Sequence, residues 1–189
     1  MMRPGFPDPV LDAQGCFRAV LEAMSRPGRV QRLAAPLEPP APLAPATAAV
    51  LLTLVDAETP LFSDAGAEVE AWARFHCGCP MAPEAGAAPF VLATGAPPPL
   101  ASLCAGTEEE PEGGATLIWQ VDGLEEGAGW RLAGPGIAEE HRLRVSGAPG
   151  DFLAQWATQR RRFPRGVDVI LCAGDRIAAL PRTTRIEEG

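Results

Sequence analysis

The run His76-Cys77-Gly78-Cys79 places an imidazole and two thiols within four residues, and both groups are good zinc ligands. A closed zinc site needs four ligands in tetrahedral reach, and a Cys-x-Cys pair needs a second Cys/His pair elsewhere. Only Cys16, Cys104, Cys172 and His141 remain, and they are scattered along the chain. The plainer reading, a helix C-terminus with half-buried thiols, is preferred, so no metal site is expected. A catalytic Cys–His dyad from the same residues is the lesser alternative, because adjacent residues seldom present both groups in the required geometry.

The arginines offer a different chemistry. Arg160-Arg161-Arg162 with Arg165 could grip a phosphate, since guanidinium forks match phosphate oxygens, although a cationic helix end facing water is the simpler account. Pro181-Arg182-Thr183-Thr184-Arg185 follows an expected strand and offers two guanidiniums and two hydroxyls. Arg182, Thr183, Thr184 and Arg185, with Arg165, form the candidate substrate- or anion-binding set; interface or loop packing is the competing role. Gly134-Pro135-Gly136 could turn backbone amides towards an anion but lacks the full dinucleotide-binding pattern, so a structural turn is preferred. Beside it, Glu139, Glu140, His141 and Arg142 could form an acid–base group or simply a solvated polar stretch. No Ser-His-Asp order and no metalloprotease helix motif occurs, so no catalytic residue is assigned.

Composition excludes more than these motifs include. The 189 residues contain no lysine, no tyrosine and no asparagine, and all sixteen basic residues are arginine, a bias that a GC-rich genome explains. Without lysine there is no pyridoxal Schiff base, no lysine nucleophile and no Walker phosphate loop; no cofactor is expected. Residues 1–130 carry six arginines against seventeen acids, and residues 131–189 ten against seven. A net charge of −8 argues against nucleic acid as a partner, while the basic final third could receive a small anion or an acidic partner. No apolar run approaches the ~20 residues of a membrane span. Met1 to Pro9 lacks the apolar centre of a signal peptide, so a cytoplasmic, membrane-free protein is expected. Five cysteines, an odd number, then read as free thiols.

Glycine and proline make up 41 of the residues, so the elements that position these groups should be short. Asp12 is expected to cap a helix with apolar positions Cys16, Phe17, Val20, Leu21 and Met24, stopped by Ser25-Arg26-Pro27-Gly28. Arg29–Leu33 reads as a short strand, and Ala35 to Pro45 as an extended connection. Pro45 opens a buried helix through Val55; Thr59–Phe62 reads as a strand and Ala67–His76 as an amphipathic helix. Phe90–Ala93 is expected as a strand and Thr107–Gly114, with four glutamates, as a solvated loop. Ala115–Val121 and Trp130–Ala133 suggest a hairpin across Asp122–Gly129. Asp151–Arg162 reads as a helix, and Val167–Cys172 with Arg176–Leu180 as a closing strand pair. One domain over residues 1–189 is expected, a three-layer α/β/α sandwich with a mixed sheet.

Several collinear blocks carry a resemblance. Phe17-Arg18-Ala19-Val20-Leu21-Glu22-Ala23-Met24-Ser25-Arg26-Pro27-Gly28 resembles the opening of the PhnH family, subunits of bacterial carbon–phosphorus lyase. Leu51–Asp56 with Thr59-Pro60, Arg74-Phe75-His76, Gly113–Ile118 and Gly134–Glu140 follow in the same order, and Phe163–Leu171 with Pro181-Arg182-Thr183-Thr184 closes the chain. The resemblance implies a fold similar to the large domain of pyridoxal-phosphate-dependent transferases, without the cofactor. It also implies a homodimer in isolation and partners PhnG, PhnI and PhnJ in a complex that joins methylphosphonate to the ribose of ATP. The nucleosidase-like PhnI is expected to carry that step and the iron–sulfur subunit PhnJ the later radical cleavage. The family supplies no catalytic residues to transfer, and Cys77 and Cys79 do not match its pattern. A non-catalytic assembly subunit is therefore the leading expectation. A substrate-handling subunit using the C-terminal arginines comes second, and an independent thiol- or metal-dependent enzyme third.

Overall fold

The computed structural model describes residues 2–34 and 36–189. Helix α1 (Pro9–Ser25) begins one turn earlier than expected. Its cap is Asp8, whose Oδ1 accepts from the amides of Val10 and Leu11 at 3.1 and 3.0 Å, with Pro9 in the first turn. Asp12 answers from inside the helix, accepting from the amide of Asp8 at 3.0 Å. Pro27 and Gly28, the latter at φ 81°, turn the chain out of the helix into β1 (Gln31–Arg32). Ala35, the first residue of the expected extended connection, lies outside the described residues.

Helix α2 (Pro45–Leu54) is buried along Ala46–Leu51, as its all-round apolar sequence requires. It has no side-chain cap of its own. Gln120 supplies one, its Oε1 accepting from the Ala44 amide at 2.7 Å and the Thr47 hydroxyl at 2.8 Å. β2 (Leu61–Ser63), α3 (Ala67–Cys77), β3 (Phe90–Ala93) and β4 (Thr116–Gln120) come next. Then come β5 (Gly123–Ala133), β6 (His141–Ser146), α4 (Phe152–Arg160), β7 (Asp168–Ala173), β8 (Arg176–Leu180) and β9 (Arg185–Glu187).

The main sheet has six strands in the order β1-β8-β7-β4-β3-β2. The four from β7 to β2 run parallel, while β8 and β1 are antiparallel to their neighbours, so the sheet is mixed. Its central strands are apolar runs because both faces are buried. Along β7, Ile170 and Cys172 join one core cluster, and Val169, Leu171 and Ala173 the other. Helices α1, α2 and α3 cover the first face, with Val20, Leu51 and Trp72 among the side chains they bury. The second face is not covered by helices alone. Helix α4 shares it with a three-stranded antiparallel sheet, β6-β5-β9, which sends Leu124, Leu132, Leu143 and Ile186 inward.

That second sheet corrects the expected hairpin. β4 lies between β3 and β7 in the main sheet, and the acidic, glycine-rich stretch after it is the first half of β5, not a turn. Glu125 pairs across with Arg144, their side chains 3.3 Å apart, and the register shifts between Glu126 and Trp130. Gly127 and Gly129 at positive φ form this bulge, which sequence reading took for a loop. A Cβ at Gly129 would lie 2.7 Å from the Leu143 carbonyl oxygen, so only glycine admits the partner strand so closely. His141 and Arg142, read as part of a polar stretch, begin β6.

Candidate functional site

Strand β8 delivers Pro181 and Arg182 to the edge of the second core, and α4 and β9 enclose Thr183 and Thr184 beyond it. Arg182 is already engaged. Its Nε lies 3.1 Å from both carboxylate oxygens of Asp168, its Nη2 donates to Asp168 Oδ2 at 2.6 Å, and its backbone amide donates to Oδ1 at 2.7 Å. Nη1 donates to the carbonyl of Pro111. With the two side chains only 13% and 19% exposed, this is a sheltered, bidentate pair whose partners are mutually compensated. It ties β7, the chain after β8 and the short turn Pro111–Gly113 together. The expected solvated loop is thus exposed at its glutamates and anchored at its end, where Gly114 bridges to Ala105. Arg165 faces this loop too, 3.7 Å from Glu108.

The remaining residues of the set sit otherwise. Thr183 is half-buried. Thr184 is fully buried: its carbonyl accepts from Trp156 Nε1 at 2.8 Å, its amide donates to the Pro181 carbonyl at 2.8 Å, and its Oγ1 has no partner. Arg185 opens β9, exposed, opposite Ala133. Arg160 closes α4 one turn beyond Trp156, and its Nε is buried without a partner. Burial, and then the Arg185 charge, pulls the Arg160 guanidinium below its ordinary pKa. The structure therefore divides the arginines. Arg165 and Arg182 are compensated by carboxylates, whereas Arg160, Arg161, Arg162 and Arg185 form no salt bridge among the described residues. Sequence reading placed Arg185 in the candidate set but grouped Arg160 with its neighbours; α4 packing against β9 is what brings the Arg185 charge to bear on Arg160.

The two glycine-bearing blocks also come together, which their separation of over a hundred residues concealed. Gly136, at φ 82°, lies so close to the end of α1 that a Cβ there would be 2.0 Å from the Ser25 carbonyl oxygen. A Cβ on Gly28 would lie 2.1 Å from Leu132 Cδ1. Beside this contact is a cleft of about 270 Å³ lined by Arg26, Arg29, Ile137, Glu139, Glu140 and His141. The expected acid–base group does not assemble from neighbours in sequence. Glu140 pairs with Arg142 at 3.2 Å, while His141 Nε2 sits 3.1 Å from the Gly28 carbonyl oxygen and 3.4 Å from Glu126. Glu126 also accepts from the Val30 amide at 2.7 Å, so this imidazole helps fasten β6 to the chain leaving α1.

Cys77 ends α3, Gly78 turns left-handed at φ 70°, and Cys79 comes after it, buried. His76 is drawn elsewhere: Nε2 lies 2.9 Å from the Arg3 carbonyl oxygen, with the ring 4.9 Å from both Trp72 and Phe75. Among the described residues, no group of three or more histidine, cysteine, aspartate or glutamate side chains could hold a metal. Burial first, then Cys79 and Asp56, pushes the Cys77 thiol up to about 12, which suppresses the thiolate a nucleophile needs. No helix of the described residues is long and apolar enough to cross a membrane.

A mixed six-stranded α/β sheet backed by a small antiparallel sheet, with glycines at its closest contacts, thus frames all the collinear blocks. The chain belongs to the PhnH family: residues 4–187 match the family described as bacterial phosphonate metabolism protein (PhnH). It is 38% identical to the alpha-D-ribose 1-methylphosphonate 5-triphosphate synthase subunit PhnH of Rhizobium meliloti (strain 1021), over 96% of this chain and 94% of that protein. It is 40% identical to HtxG of Stutzerimonas stutzeri, named as a C-P lyase subunit protein, over 92% of this chain and 85% of that one.

Proposed function

We propose that this chain is the PhnH subunit of a complex that makes alpha-D-ribose 1-methylphosphonate 5-triphosphate from ATP and methylphosphonate, and that it contributes assembly, not chemistry. Similarity to the Rhizobium synthase subunit along nearly both whole chains supports the pathway. The observation that carries the assembly role is the outer face of α1. Val10, Phe17 and Leu21, spaced by seven and four residues, fall on one side of the helix and are 74%, 45% and 52% exposed. Leu11 widens this surface. An apolar stripe of this kind on a folded protein marks a contact with another protein.

In this reading the chain is one cytoplasmic domain that docks with PhnG, PhnI and PhnJ and pairs with a second copy when isolated. Its mixed main sheet, with α1, α2 and α3 against one face and α4 against the other, is consistent with the large domain of pyridoxal-phosphate-dependent transferases, and the absence of lysine from the sequence leaves no residue to bind that cofactor as a Schiff base. The test is co-expression with PhnG, PhnI and PhnJ, then native mass spectrometry of the purified material. The expected result is a stoichiometric assembly containing this chain. Recovery of only the free chain or its dimer, with every partner well expressed, would overturn the reading.

A further inference from the structure

Helix α4 carries a stripe whose spacing reads the same in both directions. Asp151, Gln155, Thr158 and Arg162 are separated by four, three and four residues, which sets them on one side of the helical path, from the residue before α4 to the turn after it. With Ala154 they form one wall of a groove of about 410 Å³, and Pro99 and Ala101 stand on the other. Phe152 and Trp156, on the far side of the helix, are buried in the second core.

The ends of the stripe carry opposite charges, about 16 Å apart along the helix. Its middle is small and already satisfied. Gln155 Oε1 accepts from the Leu100 amide at 2.9 Å, and its Nε2 donates to Asp151 Oδ2 at 2.9 Å. Thr158 Oγ1 donates to the Ala154 carbonyl at 2.8 Å. Covering these groups therefore costs little. The ends are different: Asp151 and Arg162 are both exposed, and neither forms a salt bridge among the described residues.

A face with a carboxylate at one end and a guanidinium at the other is complementary to itself turned end for end. About a twofold axis through its centre, two α4 helices run antiparallel, each Arg162 meets the second copy's Asp151, and Gln155 meets Thr158. Laid parallel, the same face would set arginine against arginine.

We propose that this face of α4 is the surface on which two copies of the chain pair, with reciprocal Asp151–Arg162 contacts at its ends. This rests on the pairing of the isolated chain read above and names its surface. It leaves α1, against the other face of the main sheet, free for the remaining subunits.

The test is sedimentation velocity of the isolated full-length protein over a concentration series. The wild type is expected to dimerise. Asp151→Arg and Arg162→Asp each put like charges at both ends of the contact and should weaken the dimer at least tenfold. The Asp151→Arg/Arg162→Asp double variant exchanges the charges and should recover most of the lost affinity. Ala154→Arg, at an exposed helix position, should fill the groove and abolish pairing, so the proposal stays open to test if Asp151→Arg fails to fold. Phe17→Ser/Leu21→Ser should pair as the wild type does. A wild type that stays monomeric would overturn the pairing and its surface together. A wild-type dimer that the single charge reversals leave intact would overturn the surface alone, as would a double variant that does not recover or a dimer lost in Phe17→Ser/Leu21→Ser. An Ala154→Arg chain that still dimerises but drops out of the assembly with PhnG, PhnI and PhnJ would give the groove to another subunit and overturn the proposal.

Discussion

The two faces of the main sheet are built by different rules. On the first, α1, α2 and α3 bury aliphatic side chains and Trp72 against Leu92, Ile118 and Ile170, with few charged contacts between elements. On the second, β5, β6 and β9 fit against the chain through glycines that admit no Cβ, and charged groups tie separate segments together. The first face leaves an apolar surface outside, at Val10, Leu11, Phe17 and Leu21. The second is specified atom by atom, and the unsatisfied donors lie there. An apolar outer surface needs only shape and apolarity, whereas glycine-tight backbone contacts need fixed positions.

Glycine substitutions should break this contrast most visibly. Gly136→Ala would set a Cβ 2.0 Å from a backbone oxygen at φ 82° and is expected to destabilise the fold by about 3 kcal/mol or more. Gly15→Ala on α1, with nothing within 4 Å, should stabilise by about 1 kcal/mol. Urea midpoints of the two variants moving in the same direction would refute the division.

Asp168→Ala should cost about 3 kcal/mol, because it strands Arg182 in a sheltered site with only the Pro111 carbonyl. Limited proteolysis would then find residues 107–114 more readily cut. Alkaline pH probes the first face. Burial pushes the thiols of Cys77 and Cys172 up from 9.0, Cys77 to about 12. The unfolded chain therefore loses these protons first, so their contribution is complete below pH ~9 and lost as the pH rises through the folded-state values. Unfolding free energy should fall by about 1 kcal/mol per thiol by pH 10, and the Cys77→Ala/Cys172→Ala variant should decline less steeply. Trp156→Phe, which removes the indole donor to Thr184 and keeps most of the packing, should lose about 1 kcal/mol by chemical denaturation.

The elements that sequence alone made legible are those whose neighbours in space are neighbours in sequence, or whose apolar pattern leaves one option. α2 was readable from Pro45 and an unbroken apolar run, β3 from Phe90–Ala93, and the β7–β8 pair from apolar strands around Gly174. The start of α1 was misjudged because Asp8 and Asp12 are both sound caps, and Pro9 favours the earlier one. β5 and β6 were hidden because acids and glycines that ordinarily mark a turn here form a bulged strand with arginines opposite. The same limit applies to the arginines. Whether Arg182 or Arg185 is free depends on Asp168, fourteen residues back, and on the docking of α4, neither of which a local pattern encodes.

The most direct test of the central claim, that α1 presents the surface through which this chain enters its complex, is the Phe17→Ser/Leu21→Ser double variant. Both side chains are about half exposed, so the free protein should keep its stability within about 0.5 kcal/mol per site. Co-expressed with PhnG, PhnI and PhnJ and weighed by native mass spectrometry, the variant should be missing from the assembly that the wild-type chain joins. A folded variant recovered in the complex at wild-type stoichiometry would contradict the account.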